Sequence, residues 1–250
     1  MPARAAIRGN VGMLYELRMY HVAPGRMDDV AARMRDLVPA VFAKHGFPVP
    51  LGQWRATAGS KLPLYVWMLA WPDSQTRAHA FAALYGDAEW MKIRTETNGP
   101  RETVLSYDIA FMHDTPAGHA ARRLHADRAG PAAGLHELRL HQIYPGRLVQ
   151  ANTTLTETDL PAWKRAGATT LGVFEVQSGL VTPGFVHVLA WDDFEARRKG
   201  LTEYEANPTV RRAREAEAAE LKTHVVGRHD TWLLEPTAFC PPQYGFGITA

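Results

Sequence analysis

The chain has 250 residues, 46% of them hydrophobic and 22% charged, with 28 basic against 26 acidic side chains and one cysteine. That composition excludes a disordered chain and supplies no one-signed field for a polyanion such as nucleic acid. Cys240 has no partner for an internal disulfide and cannot form a multi-thiolate metal site; no apolar run approaches the ~18 residues of a membrane span, and the compartment is read as cytoplasmic.

Residues 1–13 read as an N-terminal extension without the continuous apolar core of a secretory signal. Arg4 and Arg8 among alanines would also suit an organelle presequence. Leu14 to Val22 alternates as a strand does, and Pro24-Gly25 turns the chain. From Asp28 to His45, Val30, Met34, Leu37, Val38, Val41 and Phe42 recur at helical spacing, and Gly46 ends the helix. Gln53 to Thr57 and Leu64 to Trp71 are strand-like, separated by a turn with Gly59 and Pro63. A helix follows over Ser74 to Tyr85, with Ser74 as its N-cap, and a last strand covers Val104 to Met112.

The pattern then repeats. Leu14 to Arg26 (LYELRMYHVAPGR) returns as Leu135 to Arg147 (LHELRLHQIYPGR) with seven identities, and Tyr65 to Asp73 (YVWMLAWPD) returns as Phe185 to Asp193 (FVHVLAWDD). Matches in register over this distance indicate duplication of a folding unit. The second copy is expected to carry strands at Leu135 to Ile143, Gly172 to Val176, Phe185 to Trp191 and Asp230 to Leu234. Its helices are expected at Leu148 to Ala166 and Phe194 to Tyr204, with a further charged one at Thr209 to Thr223. The parts are thus a first repeat at 14–115, an Ala/Gly/Pro-rich linker at 116–134, a second repeat at 135–239 and a tail at 240–250. That tail, with Tyr244 and Phe246 between glycines, suits a cover for a pocket mouth, a contact with a second subunit or a disordered end.

Each repeat has the order β-α-β-β-α-β, an α+β unit of the ferredoxin-like kind with helices on one sheet face. The other face needs cover, and a second copy in the same chain provides it. The fold class is therefore α+β, two tandem ferredoxin-like repeats closing as a fused barrel, with a pocket expected between the sheets.

The residues Tyr15-Glu16-Leu17-Arg18, Pro24-Gly25-Arg26, His45-Gly46 and Leu69-Ala70-Trp71, with Pro236-Thr237 near the end, resemble the NIPSNAP family over nearly the whole chain. The resemblance implies a dimeric α+β barrel fold, shared with antibiotic biosynthesis and haem-degrading monooxygenases. It implies no single reaction, because fold does not fix function.

Strand alternation puts Glu16, Arg18 and Tyr20 on one face and Leu17, Met19 and His21 on the other; Glu137, Arg139 and His141 oppose Leu138 and Leu140. The apolar set is expected against helices and the polar set between the sheets. There, Arg18 and Arg139 would bind a substrate oxygen, or each Glu would merely neutralise its Arg. His141, His187 and His229 of the second copy could converge as acid/base groups or as metal ligands; their counterparts are Tyr20, Trp67 and Tyr107.

These patterns lead to a small-molecule enzyme without a tightly bound cofactor and with no metal assigned. His141, Glu137 and Glu16 are the catalytic candidates, and Arg18, Arg139, Tyr20, Trp67 and His187 bind substrate. Isomerisation, cyclisation, lyase chemistry or cofactor-free oxygenation of a polar or aromatic metabolite all suit such a pocket. The alternative is a non-catalytic ligand-binding or protein-interaction module. The expected partner is a small molecule, with no nucleic acid and no membrane, and assembly into a homo-oligomer stays open. The mixed charges of Thr209 to Thr223 read as a solvated face.

Overall fold

A computed structural model describes residues 12–132 and 134–248. Most of the expected N-terminal extension, and with it the presequence reading, falls outside the described residues. The first repeat comprises β1 (Leu14–Val22), α1 (Met27–Asp36), α2 (Val38–Lys44), β2 (Gly52–Ala58), β3 (Leu64–Trp71), α3 (Ser74–Tyr85), α4 (Ala88–Asn98) and β4 (Val104–Asp114). Next comes α5 (Pro116–Leu124), then β5 (Leu135–Ile143), α6 (Leu148–Thr154), a π turn (Leu155–Asp159), α7 (Leu160–Arg165), β6 (Thr169–Gly179), β7 (Gly184–Trp191), α8 (Phe194–Ala206), α9 (Pro208–Leu221) and β8 (Val226–Pro236).

The eight strands close into one antiparallel barrel in the order β1-β3-β2-β8-β5-β7-β6-β4. Each repeat supplies a half-sheet, and the halves join where Trp54 of β2 pairs with Pro236 of β8 and where His113 of β4 pairs with Glu175 of β6. Closure leaves no sheet edge unpaired, which is how antiparallel sheets avoid edge-to-edge association.

The expected facing of the strands is corrected. Leu17, Met19, Leu138 and Leu140 point into the barrel, where they pack with Val66, Met68, Met112, Phe174 and Val186. The set containing Glu16, Arg18 and Tyr20 lies on the outer face, under the helices, together with Trp67, Trp71 and Phe81. The reason is solvation: two facing half-sheets make a dry interior that branched apolar side chains fill, whereas a buried carboxylate needs donors. The outer face supplies them, from its own arginines and tryptophans and from the helices above, as the site shows below.

Three other expectations change. The single helix over Asp28 to His45 breaks at Leu37, because Pro39 has no N–H for the carbonyl one turn back. The second repeat meets the same problem at Pro161 and absorbs it with the π turn. Within the segment read as a linker, α5 packs Ala117 and Ala121 against Val173, and Gly118 permits this because a Cβ there would stand 2.6 Å from the Val173 carbonyl oxygen. The helix α4 was not expected. Its apolar residues Trp90, Met91 and Ile93 are too few to show a clear period, but Asp87 caps it by accepting from Glu89 N–H.

The tail turns back onto the barrel. Phe246 is buried, with its ring 5.9 Å from Phe174 and 6.4 Å from Trp54, so it plugs one barrel end. Across the interior, Trp54 Nε1 donates to His136 Nδ1 at 2.8 Å and ties the repeats together.

Candidate functional site

Glu16 sits mid-strand on β1 and is fully buried. It accepts from Arg18 Nη1, from Trp71 Nε1 at 2.9 Å, and from Arg77 Nε and Nη2 at 2.9 and 2.8 Å. Glu137 repeats the arrangement with Arg139 Nε at 2.8 Å, Trp191 Nε1 at 3.0 Å and Arg197 at 2.8 and 3.0 Å. Burial alone would raise both carboxyl pKa values, but the arginine hydrogen bonds and charges outweigh it and hold each below the ordinary range. Both carboxylates are ionised and surrounded by donors.

Sequence reading missed Arg77 and Arg197, although both follow the capping aspartates Asp73 and Asp193 at the same distance. A repeat-aware comparison of the helices would have paired them.

Arg18 is enclosed. Its guanidinium carbon lies 5.3 Å from the Trp67 ring centre, 4.9 Å from Phe81, 5.3 Å from Tyr107 and 5.6 Å from Tyr20. Burial raises the Tyr20 phenol pKa, and the nearby Arg18 charge opposes the rise without cancelling it. Tyr20 therefore remains a protonated phenol near neutral pH.

In front of this layer opens a cavity of about 300 Å³, between the outer face of the first half-sheet and helices α1 to α4. Tyr20, Phe42, Trp67, Phe81, Tyr85, Trp90 and Tyr107 form its aromatic walls, and Arg33 stands among them. Arg33 is 8% exposed. Its Nη2 donates to Asn98 Oδ1 at 2.6 Å and Thr103 Oγ1 at 2.8 Å, and it makes no ion pair among the described residues. Its Nε, like Trp67 Nε1 and Trp90 Nε1, is buried without an acceptor. Arg33 was also missed, although a cation one turn from Val30 and Leu37 on an apolar stripe was visible in the sequence.

The second repeat fills its corresponding layer differently. His187 of β7 lies opposite Arg139 of β5, and His229 of β8 lies opposite His141. The ring centres are 5.9 Å apart for His141 and His187 and 5.5 Å for His141 and His229. The imidazoles thus form a row from core to surface, and among the described residues no three His, Cys, Asp or Glu side chains group closely enough to hold a metal ion.

His187 meets Thr170 Oγ1 at 3.2 Å, while its Nδ1 and His141 Nε2 have no partner. Burial, with the Arg139 charge, pushes the His187 pKa down to about 3 and lowers that of His141 as well. Trp163 and Tyr204 stack with ring centres 3.6 Å apart, and the Arg139 guanidinium lies 4.5 Å from the Trp163 ring centre. The π turn places Asp159 to accept from Tyr204 at 2.9 Å and from Arg214.

The expected pocket between the sheets is reduced to an open cleft of about 460 Å³ at a barrel end, lined by Met19, Lys61, Asp108, Leu140 and Asp230. None of the site residues expected from sequence lines it. Of those residues, Tyr20 and Trp67 line the first-repeat cavity, Arg18 and Glu16 belong to the layer behind it, and His141, His187, Arg139 and Glu137 belong to the second repeat.

A family model described as NIPSNAP matches residues 15–117 and 136–241. No curated protein sequence matches the chain. Among solved structures, the chain is similar to chlorite dismutase from Candidatus Nitrospira defluvii in complex with imidazole, with 7% identity, 92% of this chain and 93% of that one covered, and a TM-score of 0.56. An anthrone oxidase-like protein is similar at 12% identity over 91% of this chain and 92% of that one, with a TM-score of 0.55. A NIPSNAP family protein with unknown function from Agrobacterium tumefaciens matches 43% of this chain with 92% of its own, at 19% identity and a TM-score of 0.38. The two long matches concern the barrel fold. Among the described residues, no helix is long and apolar enough to cross a membrane.

Proposed function

The chain belongs to the NIPSNAP family, and we propose that it is a small-molecule enzyme whose substrate occupies the cavity beneath helices α1 to α4. The observation that carries this reading is one cavity with aromatic walls and three buried N–H groups, on Arg33, Trp67 and Trp90, that have no acceptor. Buried donors are ordinarily satisfied, and all three belong to residues that line this one cavity, so a ligand there is a ready source of acceptors.

In this reading Tyr20 does the proton work. Kept protonated by burial, the Tyr20 phenol can donate to a substrate oxygen, and charge developing there then meets a donor already in place. Arg18 acts through Tyr20 and does not line the cavity. Glu16 and Glu137, saturated by arginines, hold the helices to the sheet. Isomerisation, cyclisation or elimination on an enolisable aromatic molecule also needs a base for the C–H proton, and in this reading solvent water takes that proton while Tyr20 donates to the carbonyl oxygen.

The test is hydrogen–deuterium exchange at the acidic C–H of enolisable aromatic ketones, followed by NMR in D2O. Tyr20→Phe is expected to slow enzyme-promoted exchange by about 10²- to 10⁴-fold while ligand binding persists. Exchange unchanged in that variant removes Tyr20 from the chemistry. Binding without any exchange in the parent protein favours the ligand-binding alternative.

A second reading places the proton carrier in the other repeat, and the unpartnered Nε2 of His141 beside Arg139 favours it. His141→Gln in the same assay separates the two sites.

A further inference from the structure

The cavity beneath α1 to α4 has a one-sided polarity. Among the described residues, the buried side-chain polar atoms of its lining that lack a partner are all donors: Arg33 Nε, Trp67 Nε1 and Trp90 Nε1. The carboxylate at its rim, Glu102, is already engaged by Arg94 at 2.9 Å and by Asn98. An occupant that brings acceptors would meet these three donors.

The charge points the same way. Arg33 is a nearly fully buried guanidinium that, among the described residues, is bonded only to the neutral side chains of Asn98 and Thr103 and paired with no carboxylate. A buried cation without a counter-charge is costly, and an anion delivered by a ligand removes that cost. The second repeat carries Thr154 at the position equivalent to Arg33, so this feature belongs to one half alone.

The walls set the rest of the ligand. Phe42, Trp67, Phe81, Trp90 and Tyr107 present ring faces and edges that suit a flat apolar body. From these observations, and resting on the reading of this cavity as a small-molecule site, we propose that its ligand is a planar aromatic molecule bearing an anionic oxygen, a carboxylate or ionised enol, seated on Arg33 with Trp67 and Trp90 as further donors.

Three probes of one shape test this by quenching of tryptophan fluorescence in the full-length protein: 2-naphthoate, neutral 2-acetylnaphthalene and cationic 2-naphthylmethylammonium. The naphthoate is expected to bind about ten- to a hundredfold more tightly than the ketone, and the ammonium weakest, as for hydrogen bonds to a charged group. Arg33→Gln is expected to remove that preference. Because Arg33 also holds Asn98 and Thr103, Trp90→Phe is the second variant; it deletes one donor at a part-exposed position and is expected to weaken naphthoate more than the ammonium probe. Equal affinity for naphthoate and ketone, or a preference that survives Arg33→Gln, overturns the anion assignment and leaves the pocket standing. Failure of all three probes overturns both.

Discussion

Arg197 reaches from α8 onto β5 and closes two hydrogen bonds on the buried Glu137, at 2.8 and 3.0 Å. The same contact recurs in the first repeat between Arg77 and Glu16, so one carboxylate per repeat pins a helix to the sheet. Removing Arg197 leaves the buried Glu137 with Arg139 and Trp191 as its donors. Arg197→Met is therefore expected to lower unfolding free energy by about 1.5–3 kcal/mol in urea denaturation, as for lost hydrogen bonds to a charged group. Glu137→Leu, which leaves both Arg139 and Arg197 without their carboxylate, is expected to cost more, about 3–5 kcal/mol; a Glu137→Leu variant no less stable than Arg197→Met contradicts the account.

The histidine row makes stability depend on pH. His187 is neutral in the folded protein, its pKa lowered to about 3 from an ordinary 6.5 by burial and Arg139. Between those values the unfolded chain binds a proton that the folded one refuses, so stability falls as pH drops below 6.5. Glu16 and Glu137 begin to contribute only lower, since their folded pKa values lie under the ordinary 4.5. The window from pH 6.5 to 4.5 thus belongs to the histidines, at about 1 kcal/mol per neutral imidazole for each pH unit. His187→Asn should flatten the melting-temperature profile there, and an unaltered slope would show that His187 takes up its proton without penalty.

Phe246 plugs the barrel on the side away from the helix layer. Phe246→Ala is expected to cost about 3–5 kcal/mol as a buried aromatic truncation, with probe affinity in the first-repeat cavity retained. Loss of binding without loss of stability would place the tail at the site instead.

Much of the architecture was legible in the sequence because duplication writes it twice. The motif shared by Leu14 to Arg26 and Leu135 to Arg147 gave the repeat, and the element order gave the ferredoxin-like unit. What misled was the facing of β1 and β5. A strand reading Glu-Leu-Arg-Met or Glu-Leu-Arg-Leu alternates equally well either way, and only the arginines of α3 and α8 decide that Glu16 and Glu137 turn towards the helices. The row formed by His141, His187 and His229 followed from strand order, since register alone brings them together. The cavity did not, because four of its elements, α1 to α4, supply one or a few wall residues each, and α4 has too weak a pattern to be read.

The central claim is that a ligand's acceptors complete the unpaired donors of the first-repeat cavity. The chain has seven tryptophans, and each gives one indole N–H signal in a ¹H–¹⁵N spectrum. Titration with 2-naphthoate should shift the Trp67 and Trp90 indole signals downfield, while Trp54, bonded to His136, and Trp191, bonded to Glu137, stay in place. Shifts confined to Trp163 and Trp191 would move the site to the second repeat, and saturable binding with Trp67 and Trp90 unmoved would contradict the account.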